Sequence, residues 1–366
     1  MTHNLKQDNG AGVFSHRLIV GLKDMFGVDV VALTTEKSGE SYELPLLNKN
    51  FFRNFFALRR IIKDCDVVHA LDAYPYGVMA TLLLVGLRKK FIITAIGTGA
   101  FLHLYKPLYA SLLRYAYRKA DRVTAVSNFS KDEIIKKVQG LSVRVITHGV
   151  DYKEWEAAQG SAAIQTRIRS MRPYIISVGA MRTRKGYNLS IRSFAKIKKQ
   201  FPDLQYVIVA KKYGDSFYYK IRALIKNLAL EESVHILEDI DTREDLAELY
   251  RRAECFCLLS RSIDHDVEAF GLVFLEAAAC GLPIIGTTDG GVPDAARSGE
   301  NAILIDIQDT APFYSENEDP MSKAVAHVLG DQAYAEKMKH ASLTFARASD
   351  WAGKMAEYGA LYKTLI

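Results

Sequence analysis

"EAFGLVFLEAAACGLPIIGTTDGGVPD", residues 268–294, sets two glutamates on either side of a glycine. Glu268 precedes that glycine. Glu276 stands inside the apolar run GLVFLEAAAC, which reads as a helix beginning near Gly271. A helix N-terminus presents unpaired N–H groups and partial positive charge, a ready place for a diphosphate. Glu276 falls about five residues into the helix, roughly 7–8 Å along its axis. One acid can therefore meet the group on one side of a diphosphate and the other acid the group on the opposite side. A nucleotide-sugar has that layout: hexose, diphosphate, ribose. A solvated helix glutamate beside an incidental loop glutamate would give the same spacing, so the surroundings have to decide.

Those surroundings alternate strand-like and helix-like stretches, the pattern of parallel α/β domains. In the front half the strand candidates are 28–34, 66–71, 91–96, 122–126 and 143–148. In the back half they are 174–180, 205–211, 234–239, 255–260, 283–288 and 302–306. Segments such as SIRSFAKIKKQF and REDLAELYRRA between them are amphipathic. The polar stretch 154–173 reads as a linker. This predicts two doubly wound domains facing across a cleft, with ligands at strand carboxyl ends. One element is missing from the pattern. NGAG (9–12) arrives with only MTHNLKQD before it, so the first strand is expected to be absent or truncated.

The bulk properties exclude several classes. With 366 residues, 49% hydrophobic and 25% charged, the chain is an ordinary globular protein long enough for two cores. Its longest apolar run, GVMATLLLVGL (77–87), is too short to span a bilayer. The first ten residues lack a secretory layout, which predicts a cytoplasmic location. Cys65, Cys255, Cys257 and Cys280 have no metal or redox spacing, and the Cys-x-Cys pair is expected buried and reduced. The net charge of +6 is uneven. Residues 1–150 hold 21 Lys and Arg against 12 Asp and Glu, and the remainder 27 against 30. A basic front and a mildly acidic back point to two domains with different partners.

Several motifs together carry a resemblance. The opening stretch resembles the E-x7-E signature of the family 4 retaining glycosyltransferases, which have the GT-B fold of two Rossmann-like domains. VSNFSKDEI (126–134) with VRVITHGVDYKEW (143–155), SVGAMRTRKGYNLSIRSFAKI (177–197) and GGVPDAARSGENAILID (290–306) extend it over nearly the whole chain. The resemblance implies an acceptor-side domain at 1–155 and a nucleotide-sugar-binding domain at 165–348. A closing helix at 349–366 would return to the first domain. It makes Glu268 the acid facing the donor sugar and Glu276 the holder of the ribose hydroxyls. Backbone N–H groups of Phe270, Gly271 and Leu272 would take sugar or phosphate oxygens. Lys185 would stabilise the departing diphosphate. The family's usual arginine position is Ala180 here, so Arg182 or Arg184 is the second cation. Gly10, Ala11 and Gly12 would let the backbone approach the donor. Ile96 stands where the family commonly carries a histidine, and His103 is a weak substitute.

These readings predict a metal-independent hexosyltransferase that moves a sugar, with retention, from a nucleotide-sugar to a saccharide or lipid-linked acceptor in glycan or polysaccharide biosynthesis. No cofactor is implied, because the nucleotide-sugar is a substrate. A nucleotide-sugar epimerase on the same fold is one alternative, which Ile96 disfavours because it cannot take a proton; a non-catalytic nucleotide-sugar binder is a second, which the missing histidine allows. Asp-x-Asp triplets at 64–66, 239–241 and 264–266 fit a loose metal pattern, and three occurrences in one chain show how little it specifies. Residues 49–63 read as a helix with Phe51, Phe55, Leu58 and Ile62 on a core stripe. Phe52 and Phe56 fall instead among Lys49, Arg53, Arg59, Arg60 and Lys63. With the basic, tyrosine-rich stretch 105–122, this suits an anionic membrane surface as a peripheral partner. Neighbouring helices covering a wide apolar stripe would give the same pattern. No nucleic-acid motif is present.

Overall fold

The strand-like runs become parallel strands in a computed structural model of the chain. It describes residues 1–6, 9–47, 51–212, 214–307 and 319–365. The chain divides into two compact units, Met1–Gly149 with Trp351–Ile366, and Val150–Asp350.

In the first unit β1 (Ala32–Leu33) and β2 (Glu43–Leu44) form a short parallel pair. Then β3 (Val67–Leu71), β4 (Lys90–Ala95), β5 (Arg122–Ala125) and β6 (Arg144–Val145) make a parallel sheet in that order. The position of the expected absent or truncated first strand is held by a segment of three residues. The Thr2 N–H donates to Leu33 O at 3.0 Å, and the Leu71 N–H to Met1 O at 2.9 Å. Residues 1–3 thus bridge β1 and β3 in extended form, too briefly for a periodicity argument to detect. The helix Trp351–Lys363 belongs to this unit and lies against Gly10–Phe26. A Cβ at Gly21 would come within 2.6 Å of Met355 Cγ, so the two helices meet where one has no side chain.

The second unit has six parallel strands: β7 (Tyr174–Val178), β8 (Gln205–Val209), β9 (Val234–Leu237), β10 (Phe256–Cys257), β11 (Ile284–Thr287) and β12 (Ala302–Ile305). Their order is β12-β11-β10-β7-β8-β9. All five residues of β7 are buried, as expected of a strand covered by helices on both faces. The chain builds outward from β7 through β8 to β9, then returns to the other side of β7 as β10. The loops after β7 and β10 therefore meet at the topological switch point, where such sheets bind ligands.

Two boundaries differ from the sequence reading. The stretch 154–173 is not a linker. It folds into the helices Tyr152–Ala157 and Ala162–Arg169 of the second unit, which begins at Val150. Its polar residues form the helices' outer faces, and Trp155, Ile164 and Ile168 are buried. The helix read over 49–63 is shorter, Phe55–Lys63 preceded by a turn, and Lys49 lies outside the described residues. Phe51, Leu58 and Ile62 are buried, whereas Phe52 and Phe56 are 80% and 83% exposed. Cys255 and Cys257 are buried and free. Among the described residues no helix is long and apolar enough to cross a membrane.

Candidate functional site

The helix read from the opening stretch spans Leu272–Ala279, and its N-cap is Gly271 at φ 94° and ψ 62°. That left-handed conformation is accessible to glycine at little cost. Because the cap has no side chain, it makes no side-chain hydrogen bond to the first turn. The second glycine pair acts as a brace. The Gly291 N–H donates to Glu268 O at 2.8 Å, and a Cβ at Gly290 would sit 2.5 Å from that oxygen. Only a loop without side chains can lie this close to the backbone before the helix, and it holds Glu268 at the helix mouth.

The loop after β7 approaches from the neighbouring strand. Thr183–Lys185 form one 3-10 turn, closed by Gly186 at φ 69°. A Cβ on Gly186 would collide with Leu259 O. The Arg261 N–H donates to Arg184 O at 2.7 Å, joining this turn to the strand-β10 loop. The turn points two cations at one acid. Arg184 Nη1 lies 2.7 Å from Glu268 Oε2, and Lys185 Nζ donates to the same oxygen. Arg184 Nε also faces Asp266 Oδ1 at 3.3 Å. Ser260 Oγ is 3.5 Å from Glu268 Oε2.

Burial by itself would raise the Glu268 pKa, but the Lys185 and Arg184 charges outweigh it and hold it at about 2. Glu268 is therefore ionised at neutral pH. Burial lowers the Lys185 pKa, with Glu268 opposing. Glu276 differs sharply. It is half-buried, and among the described residues no group donates a hydrogen bond to its carboxylate. Burial pushes its pKa up to about 7, only partly offset by Arg243 and Lys185. An acid held in this state is poised for hydroxyl donors brought by a ligand.

The structure thus brings Arg184, Lys185, Glu268 and the Phe270–Leu272 backbone to one place, with Glu276 one turn into the helix. Arg182 is half-buried, and among the described residues the ion pairs on Glu268 come from Arg184 and Lys185. Gly10, Ala11 and Gly12 form the first turn of a helix capped by Asn9, whose Oδ1 accepts from the Gly12 N–H at 2.9 Å. A Cβ on Gly12 would collide with Lys6 O, so that glycine is explained within its own unit. Gly179 was missed. Its Cβ position lies 3.2 Å from Lys185 Cε, so it clears the space for the lysine stem. Its place directly after β7 was the available signal. Of the Asp-x-Asp triplets, 264–266 ties Asp266 to Arg184. Among the described residues no group of three or more His, Cys, Asp or Glu gathers as for a metal.

Two Rossmann-like parallel sheets, with a cation–carboxylate cluster at the switch point of the second, define the GT-B class of transferases. The crystal structure of Anabaena HepE in complex with UDP shares this fold, with a TM-score of 0.76 at 15% identity over 99% of both chains. Models of the glycosyl transferases group 1 and of glycosyltransferase family 4 match residues 161–343 and 8–154. The chain belongs to glycosyltransferase family 4. It is similar to the N-acetyl-alpha-D-glucosaminyl L-malate synthase of Bacillus anthracis, 29% identical over 68% of this chain and 63% of that one. It is also similar to the GDP-mannose-dependent alpha-(1-6)-phosphatidylinositol monomannoside mannosyltransferase of Mycolicibacterium smegmatis, 26% identical over 77% and 72%. The chain thus spans just under two thirds of the first of these relatives.

Proposed function

We propose that the protein transfers a hexosyl group from a nucleotide-diphosphate sugar to a saccharide or lipid-linked acceptor, with retention at the anomeric carbon. The observation that carries this reading is the pairing of Lys185 and Arg184 on Glu268 at a helix start without a side-chain cap, with Glu276, which accepts no hydrogen bond among the described residues, one turn inside. Glu276 would take the ribose hydroxyls as a bidentate acceptor. Glu268 would receive a sugar hydroxyl on Oε1, since both cations pair with Oε2. The diphosphate would draw on Lys185, Arg184 and the Phe270–Leu272 N–H groups.

In the reaction the bond from the anomeric carbon to the phosphate oxygen breaks. The acceptor oxygen bonds to the same face of that carbon, and its proton passes to the leaving phosphate. The chain's contribution is placement and charge stabilisation. Side chains supply the positive charge, so no metal is required. The first unit would take the acceptor. The lipid-headgroup acceptor in the mycobacterial relative's name supports a membrane-bound acceptor. So do the bare Phe52 and Phe56 between cations, and together they favour a cytoplasmic enzyme peripheral to an anionic membrane face.

The test is incubation of the full chain with a panel of nucleotide-sugars and a crude glycolipid and saccharide fraction, with and without excess chelator. Transfer that survives chelation supports the reading. Epimerised donor without transfer makes the protein an epimerase. Tight donor binding with neither product makes it a binder, and loss of transfer restored by magnesium or manganese overturns metal independence.

A further inference from the structure

The second unit holds a cavity that the cation–carboxylate cluster does not use. Its volume is about 290 Å³, and it lies between the helices Tyr187–Gln200 and Asp215–Asn227. Phe217, Ile221 and Leu224 recur at helical spacing on the second helix and supply its apolar lining. The polar lining comes from both helices. Asn188 and Arg192 stand one turn apart on the first, and Ser216 and Lys220 one turn apart on the second. Thr183, which opens the turn bearing Arg184 and Lys185, also lines the cavity. Arg184, Lys185, Glu268 and Glu276 do not.

Two independent observations point to a ligand there. The first is an orphaned atom: Asn188 Oδ1 is buried and has no hydrogen-bond partner. Buried polar atoms in native folds are nearly always satisfied, so this one calls for a partner. The second is charge. Arg192 and Lys220 bring two cations to the cavity, and among the described residues no Asp or Glu lines it. No carboxylate pairs with Lys220 among those residues. Thr183 and Ser216 add hydroxyl donors beside the cations.

The lining narrows the ligand's chemistry. Cations with hydroxyls beside them suit an anion, and a phosphate monoester draws on such a set more fully than a carboxylate, having more terminal oxygens and a charge of about −1.5 to −2. The buried end of Asn188 asks for a group that both donates and accepts, since turning the amide over exchanges its oxygen for its nitrogen. A hydroxyl meets either case. The apolar side chains would then cover the ligand's carbon skeleton. We propose that this cavity binds a small phosphorylated polyol, its phosphate on Lys220 and Arg192 and one hydroxyl on Asn188. The binding does not rest on the transferase reading. Its consequence for turnover does, because an occupant touching Thr183 bears on the turn that carries Arg184 and Lys185.

The test is calorimetric titration of the full chain with inorganic phosphate, glycerol 3-phosphate and glucose 6-phosphate, and with glycerol and glucose as uncharged controls. At least one phosphate ester is expected to bind saturably, at one site per chain, and more tightly than inorganic phosphate or the controls. Lys220→Ala exchanges an exposed side chain and should weaken that ester about tenfold or more. Asn188→Leu should weaken the ester and leave inorganic phosphate unchanged. Lys185→Ala should leave the ester's affinity as it is, whereas an ester seated in the donor's diphosphate site would depend on that lysine. Thermal melting of each variant reports that it is folded. The proposal is overturned if no ester binds, if Lys220→Ala binds the ester as the wild type does, or if Lys185→Ala loses it. It is also overturned if Asn188→Leu weakens inorganic phosphate as much as the ester.

Discussion

Gly179 leaves the volume that the Lys185 side chain occupies: a Cβ built on Gly179 would lie 3.2 Å from Lys185 Cε and 3.3 Å from Nζ. Gly179 also holds φ 147°, and its carbonyl accepts from Tyr187 Oη at 2.7 Å. Gly179→Ala should therefore push the ammonium off Glu268 and lower turnover about tenfold or more, some 1.4 kcal/mol of barrier. Lys185→Ala should lose at least as much, and the double variant little more than Lys185→Ala alone. Steady-state release of nucleotide from the donor measures this. Wild-type turnover in Gly179→Ala would show that the lysine's position is not set by this clearance.

The two glutamates of the opening stretch should separate by assay. Among the described residues Glu276 has no hydrogen-bond partner, so Glu276→Ala removes ligand contacts and should weaken nucleoside diphosphate binding by about 1–3 kcal/mol. Glu268→Ala releases Lys185 and Arg184 from their shared carboxylate. Affinity for the bare nucleotide should hold or rise, while turnover falls. Calorimetry and kinetics on both variants check the split. Lost nucleotide binding in Glu268→Ala with intact binding in Glu276→Ala would reverse the two roles.

Protonation gives a further separation. The folded Glu276 pKa, at about 7, lies above its unfolded value of 4.5, so the native state holds the extra proton between those limits. This raised carboxyl favours folding at low pH, and that benefit fades as pH rises through about 7. Glu276→Gln should therefore stabilise the protein at pH 8 by on the order of 1–2 kcal/mol, solvent around the half-buried group reducing the effect, and do little near pH 4. Glu268 has the opposite sign: its stabilisation is complete above pH 4.5 and is lost as pH falls toward 2. Denaturant melts of wild type and Glu276→Gln at several pH values test this. A gain that is the same at every pH would refute the titration argument.

At the membrane the prediction concerns the exposed rings. Residues 51–63, 78–90 and 102–119 carry no Asp or Glu, and beside Phe52 and Phe56 they expose Val85, Leu108 and Leu112. Arg59 Nη1 donates to Leu83 O and Val85 O at 2.8 Å, which joins the first two segments into one face. Each cation near an anionic surface contributes about 1 kcal/mol, enough for reversible, salt-sensitive attachment. Co-sedimentation should favour anionic over neutral vesicles, and the Phe52→Ser, Phe56→Ser double variant should sediment less. Equal recovery from both lipids would leave the rings without this role.

Sequence and tertiary structure contributed at different levels. The β-branched runs before glycine loops placed all eleven expected strands, because a strand covered on both faces must be apolar throughout and the loop ending it must be permissive. The helix start at Gly271 and the position of Glu276 within its turn were legible for the same reason, since helix geometry is local. The brief extended segment 1–3 and the strand β2 were not, because two or three residues carry no period. The stretch 154–173 misled because surface helices are polar on most of their circumference. Above all, the convergence of Lys185 and Arg184 on Glu268 joins loops 83 positions apart in the chain. Only the return of β10 to the side of β7 brings them together. The low pKa of Glu268 and the high pKa of Glu276 arise from burial and neighbouring charge. Those are properties of the packed sheet edge, and no spacing along the chain encodes them.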